Sequence, residues 1–168
     1  MKIKISNLSE GIHQFTFLEP VNRVGLESPF EGNIEVELKL TKTHNQLILD
    51  SVVLVNAVFE CDRCMTTVSK QLNADFEMVY LQGMEAVENN SDNVAYISSE
   101  TDVIDISDDV RDFAILAVPM KKLCSEDCKG LCPTCGKNLN EGECLCTKDD
   151  TDIRWKPLME LKNKLNTN

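Results

Sequence analysis

Eight cysteines are the side chains best suited to chemistry in this chain, and six of them crowd one stretch, LCSEDCKGLCPTCGKNLNEGECLC, from Leu123 to Cys146. Cys124, Cys128, Cys132, Cys135, Cys144 and Cys146 are separated by three, three, two, eight and one residues. The other two, Cys61 and Cys64, form a second Cys-x-x-Cys. Cys132-Pro-Thr-Cys135 followed by Gly136 is a turn that lets two thiolates converge on one centre, the glycine taking a backbone conformation that a Cβ would obstruct. Only Leu123, Leu131, Leu139 and Leu145 are aliphatic in the whole stretch, too few to fold it around a core. Tetrahedral zinc held by four thiolates is the expected organiser.

A disulfide framework is the competing account. The first residues carry no apolar segment and no small-residue cleavage site of the kind a secretory signal needs, so a reducing cytoplasm is expected. There, clustered Cys-x-x-Cys pairs read as metal ligands or redox pairs. An iron–sulfur cluster would also take thiolates, but the spacing matches neither ferredoxin run. Eight thiols allow two four-cysteine sites, with Cys61 and Cys64 recruiting two of the C-terminal cysteines and stapling that segment to the rest. They equally allow one C-terminal zinc, with Cys61 and Cys64 left as free thiols or a redox pair. The spacing leaves both open, and Zn2+ in one or two structural sites is the expected cofactor.

A catalytic zinc keeps an open position and a nearby general base. The two histidines, His13 and His44, stand alone in sequence, and neither begins the His-x-Glu of a zinc deaminase. No nucleophile elbow, phosphate loop or dinucleotide fingerprint is present. The residues therefore point to a protein that is not an enzyme and has no small-molecule substrate.

The elements that must position the cysteines follow from the hydrophobic pattern. Residues 3 to 30 suggest one or two short strands between turns at Pro20 and Pro29. Ile34, Val36, Leu38 and Leu40 alternate with Glu35, Glu37, Lys39 and Thr41, the period of a strand with one wet face. Leu47 to Glu60 is a second strand and Val68 to Tyr80 a third, with Cys61-Asp-Arg-Cys64 at the reversal between them. The acidic stretch 84–102 reads as a solvated loop. Ser107 reads as the cap of a packed helix over 108–118, apolar around most of its surface and ended by Pro119. After a polar linker, Trp155, Leu158, Leu161 and Leu165 suggest a short amphipathic helix. The expected fold is α+β: a mainly antiparallel β meander or half-barrel with one packed helix and a C-terminal Cys-rich zinc-binding module. The expected organisation is a β-rich core over 1–120 and the zinc module over 121–168.

With a formal charge of -11 the surface repels phosphate backbones. Each tetrathiolate zinc site would add a net charge of about -2. Five lysines around the cysteines, Lys121, Lys122, Lys129, Lys137 and Lys148, face Glu126, Asp127, Glu141 and Glu143, and the stretch has no aromatic for base stacking. Direct RNA contact is expected to be weak and a basic protein partner is favoured. No apolar run approaches the ~20 residues of a membrane span, so no membrane partner is expected.

Together, Cys61-Asp-Arg-Cys64 on a hairpin, an apolar helix closing in Ala-Val-Pro119, the GLCPTCGKNLN core and a terminal Asp-x-Arg-Trp-x-Pro-Leu segment resemble the YceD family of large ribosomal RNA subunit accumulation proteins. The resemblance covers roughly residues 35 to 165. It implies a bacterial or plastid cytoplasmic factor supporting synthesis, processing or accumulation of large-subunit ribosomal RNA, without known catalysis. A ribosomal protein or a pre-ribosomal particle of the large subunit is the implied partner. The residues alone keep a second class open, a thiol-based redox or metal-responsive protein using Cys61 and Cys64. A third, a nuclease acting on precursor RNA, has no catalytic constellation to support it.

Overall fold

The structure, a computed structural model, describes residues 1–83, 93–146, 157, 158 and 161. In chain order its elements are β1 (Lys2–Lys4), β2 (Gly11–Pro20), a 3-10 turn (Val21–Val24), β3 (Phe30–Lys42), β4 (Gln46–Glu60), β5 (Thr67–Gln82), β6 (Val94–Ile97), β7 (Val103–Asp105) and the helix α1 (Ser107–Leu116). Mostly antiparallel sheet with one helix, the chain is an α+β protein.

The five-stranded sheet runs in the order β2-β3-β4-β5-β6, its first four strands an antiparallel meander. Strict alternation makes it. Ile34, Val36, Leu38 and Leu40 of β3 are buried, as are Leu47, Leu49, Ser51, Val53, Val55, Ala57 and Phe59 of β4, while the residues that alternate with them face outward. A one-residue slip would turn this whole apolar set to water, so the register is strongly held. Burial of each such side chain contributes about 1.5–3 kcal/mol. The inner face is covered by α1 and by the small β1–β7 ribbon, which supply Val110, Ala114, Ile3, Ile5, Ile104 and Ile106 to the same core. Phe113 of α1 stacks on Phe76 of β5 with ring centroids 4.4 Å apart. Tyr80 donates a hydrogen bond to Asp109 at 3.2 Å, and burial beside that carboxylate pushes the phenol up.

Several expectations are corrected here. Instead of short pieces, residues 11–20 form a ten-residue edge strand. Within the acidic stretch, residues 84–92 lie outside the described residues, but Val94–Ile97 is no loop: it adds to β5 in parallel, pairing Val79 with Val94 through Gln82 with Ile97. Three strand-favouring residues, Val94, Tyr96 and Ile97, each half-buried, outweigh the polar neighbourhood. Ser107 is not the helix cap. It is the first residue of α1, Ile106 holds the cap position, and the Asp105 carboxylate accepts the Ser107 N–H at 3.1 Å. Hydrogen bonds from Ser107 hold that carboxyl down at about 2. The helix also buries a narrower face than its composition suggests, since Ile115 and Leu116 are exposed. Of the expected C-terminal helix, Leu158 and Leu161 are helical and exposed, whereas Trp155 and Leu165 lie outside the described residues.

One core position is chemically mismatched. Ser51, paired with Leu38 and Phe76 across the middle of the sheet, is buried, and its hydroxyl has no hydrogen-bond partner. A buried hydroxyl without a partner costs roughly 1–3 kcal/mol, so Ser51→Ala is expected to raise stability by about 1 kcal/mol. The midpoint of urea unfolding reads this directly, and a lower midpoint would contradict it.

Candidate metal centres

The β4–β5 hairpin ends in Cys61 to Thr66, and its backbone closes in a specific way. The Cys61 N–H donates to the Thr66 carbonyl at 2.9 Å and the Met65 N–H to the Cys61 carbonyl at 2.9 Å. Residues 132–137 repeat the pattern, with Cys132 N–H to the Lys137 carbonyl at 2.8 Å and Gly136 N–H to the Cys132 carbonyl at 2.9 Å. Each turn needs a left-handed residue just after its second cysteine, Met65 at φ 59° and Gly136 at φ 72°. Glycine adopts that conformation without strain; methionine does so at a cost. Met65 is largely exposed, so little packing is lost on removing it. Met65→Gly is expected to stabilise the turn by about 1 kcal/mol, seen as a higher thermal midpoint; an unchanged or lower one would count against the strain.

The chain then returns to the hairpin across about sixty residues of sequence. The Asp62 N–H donates to the Lys122 carbonyl at 2.7 Å, and the Lys122 N–H donates back to the Asp62 carboxylate at 2.7 Å. Arg63 reaches the Cys128 carbonyl at 2.9 Å, while its own carbonyl accepts from the Leu131 N–H at 3.0 Å. Gly130 sits against that carbonyl at φ 76°, where a Cβ would come within 3.0 Å of the oxygen. A side chain there would force hairpin and loop apart.

These contacts bring the eight cysteines into two groups of four, Cys61, Cys64, Cys124 and Cys128, and Cys132, Cys135, Cys144 and Cys146. Within each group all sulfurs lie within 4.8 Å of one another. Cys61 and Cys128 are 3.8 Å apart, Cys64 and Cys124 3.6 Å. A disulfide would place them at about 2.05 Å. With a metal–sulfur bond of about 2.3 Å, the edge of a tetrahedron of thiolates is ~3.8 Å. The separations therefore match the edge of a tetrahedral site, and the soft, sulfur-only donor set fits a thiophilic dication.

The electrostatics agree. Burial raises the Cys61 thiol, but backbone N–H groups of the turn more than offset this and bring it down to about 6. In the second group, hydrogen bonds from the Cys135 and Thr134 backbones hold Cys132 at about 6. Cys124 and Cys146 are instead pushed up to about 12, each by hydrogen bonds with neighbouring sulfurs first and then by burial and like charge. Four thiolates cannot all ionise together unless a cation joins them.

Around the first group, the Asn140 side chain donates to the Cys128 sulfur at 3.3 Å, and its oxygen accepts the Lys129 N–H at 2.8 Å. Cysteine spacing did not single out Asn140 or Arg63, and no local motif marks either. The two groups differ in exposure. Cys61, Cys64 and Cys128 are buried, whereas Cys135 is exposed and Cys144 and Cys146 only half-buried. The histidines lie elsewhere, His13 on the Ser9 carbonyl and His44 beside Glu10.

The sequence profile of the family described as Large ribosomal RNA subunit accumulation protein YceD matches residues 50–162, which include all eight cysteines. The chain belongs to the YceD family. Among its YceD relatives is the chloroplastic large ribosomal RNA subunit accumulation protein YCED homolog 1 of Arabidopsis thaliana. It is 23% identical over 158 residues, covering 79% of this chain and 49% of the relative. The homolog of the same name from Zea mays is 26% identical, over 66% of this chain and 47% of its own. An uncharacterized protein of Mycobacterium tuberculosis is 27% identical over 144 residues, 83% of this chain and 68% of its own. The chain thus spans about half the length of the plant YceD proteins it matches. No solved structure matches it.

Proposed function

We propose that this protein is a non-catalytic cytoplasmic factor supporting the accumulation of large-subunit ribosomal RNA, with structural zinc in both cysteine groups. The observation that carries this reading is the YceD match over residues 50–162, together with the family's description. Zinc is favoured by two Cys-x-x-Cys turns with the same backbone hydrogen-bond pattern and, in the first group, by sulfur separations of a tetrahedral edge. Four protein thiolates fill a tetrahedron and leave no position for substrate or water, so the role of the metal is to fold residues 121–146 and hold them to the β4–β5 hairpin. On this reading residues 121–168 are a module appended to a β-rich core over 1–120.

The charge of -11 favours a basic ribosomal protein, or a pre-ribosomal particle presenting one, over naked RNA as the direct partner. A redox role for Cys61 and Cys64 is disfavoured by their burial within a group of four, because a reactive pair needs an accessible thiolate. Depleting the protein from its own host tests the reading: the ratio of large- to small-subunit ribosomal RNA is expected to fall. An unchanged ratio after complete depletion would overturn it.

A further inference from the structure

The outward face of the sheet is a surface that the metal centres do not use. Down the centre of this face runs the outward column of β4, with Ile48, Asp50, Val52, Leu54 and Val58. Glu35 and Glu37 of β3 stand on one side of it, in register with Leu54 and Val52. On the other side are Asp75 and Glu77 of β5, paired with Val52 and Asp50. All four flanking carboxylates are exposed. Lys39 is the one cation among them, and it pairs with Asp50 at 3.5 Å. Glu37, Asp75 and Glu77 have no cation partner among the described residues. A hollow of about 630 Å³ lies here, with Glu37, Asp50, Val52, Asp75 and Glu77 in its lining. No described element packs over it, and Val52 and, further out on β2, Leu18 remain exposed.

Two strand spacings separate Glu37 from Asp75, a width of roughly 9–10 Å with Val52 between them. That combination suits a long cationic side chain, whose methylenes cover an apolar floor while its head meets carboxylates on either side. We infer that this acidic, apolar-floored trough docks a lysine- or arginine-rich segment of a protein partner. The inference deepens the proposed function and rests on it, because it names the surface through which a basic ribosomal protein would be held. Charge sets the choice of occupant. A nucleic-acid backbone is repelled, and a second copy of this chain would bring the same carboxylates against one another.

The test uses the full chain loaded with zinc and a fluorescein-labelled peptide of alternating lysine and valine as probe, with fluorescein-labelled polyuridine and Mg2+ alone as comparisons. The variant Glu37→Gln/Asp75→Asn/Glu77→Gln removes the three unpaired carboxylates that line the hollow. A control, Glu100→Gln/Asp102→Asn/Glu126→Gln, removes the same charge from exposed positions elsewhere. Circular dichroism and metal content verify that both fold. The trough variant is expected to bind the peptide about tenfold more weakly, the control within about twofold of wild type. Equal losses in both variants would mean a diffuse field rather than a site and would overturn the inference. So would preferential binding of polyuridine, or competition by Mg2+ at concentrations that leave ionic strength unchanged. In the host, the trough variant is expected to lower the large-subunit RNA ratio as depletion does. If depletion lowers the ratio and the trough variant restores it in full, the docking surface fails while the family role stands. If depletion changes nothing although the peptide binds, the role fails instead.

Discussion

In the zinc-loaded chain, Cys61→Ser is expected to halve the bound zinc and to free residues 121–131 from the hairpin, while the sheet stays folded. Metal bound by a thiolate set that the unfolded segment does not hold together supplies on the order of 10 kcal/mol towards folding the segment that binds it. Without it, the remaining links are the hydrogen bonds that join Asp62 and Arg63 to Lys122, Cys128 and Leu131, each contributing about 1 kcal/mol. They are too weak to repay the ordering of about ten loop residues, at roughly 1–2 kcal/mol each. The sheet does not share this dependence. Its core of Ile34, Val36, Leu40, Leu49 and Val53 is closed by α1 and β1, all outside the cysteine groups. Limited proteolysis should therefore cut near Lys121 and Lys122 and leave a resistant fragment containing β2 to α1. Metal analysis should fall by half. A variant that kept both ions, or that lost the sheet together with the loop, would show that the first centre is not the staple described.

How much of this was legible beforehand depended on whether the signal was local. β3, β4 and β5 could be placed within a few residues because alternation over a dozen positions has only one good burial solution. Val94–Ile97 could not, since so short a run amid asparagines and serines forms a strand only when an edge such as β5 is there to receive it. The helix start differs from the sequence pattern for a related reason: Asp105 satisfies the first N–H from the end of β7, so the serine that looks like a cap lies one position inside. All eight candidate ligands were visible as residues, but their grouping was not. Six C-terminal cysteines offer many sets of four, and the choice depends on backbone contacts of Asp62 and Arg63 with a segment about sixty residues away. The equivalence of the two turns was hidden too, because one has glycine at its left-handed position and the other has Met65.

The sheet and the cysteine groups answer different needs. A meander with one wet face leaves its hairpin tip hanging beyond the core. The Cys61–Thr66 turn makes that tip a rigid docking point for a loop with little apolar surface of its own. Among the described residues nothing covers the outer face of the sheet, where the unpaired carboxylates lie. In this arrangement the cysteine-rich segment can be remodelled without disturbing the acidic surface, because they share only the β4–β5 strands.

The difference in exposure between the two cysteine groups predicts how a zinc-loaded chain gives up its metal. A chelator such as EDTA in excess is expected to remove zinc in two phases of equal amplitude, the fast one from Cys132, Cys135, Cys144 and Cys146. Access decides the order. A chelator must reach the metal as one thiolate leaves, and Cys135 is exposed with Cys144 and Cys146 half-buried, whereas three ligands of the other group are buried beneath the hairpin. Opening the first group also requires breaking the Arg63 and Asn140 contacts to Cys128. A difference in opening free energy of only about 1.4 kcal/mol already separates the rates tenfold. Cys135→Ser should then abolish the fast phase and leave the slow one, and Cys61→Ser should do the reverse. Release of both ions in a single phase from wild type, or a slow phase lost in Cys135→Ser, would mean that the two centres open together and that burial does not govern their lability.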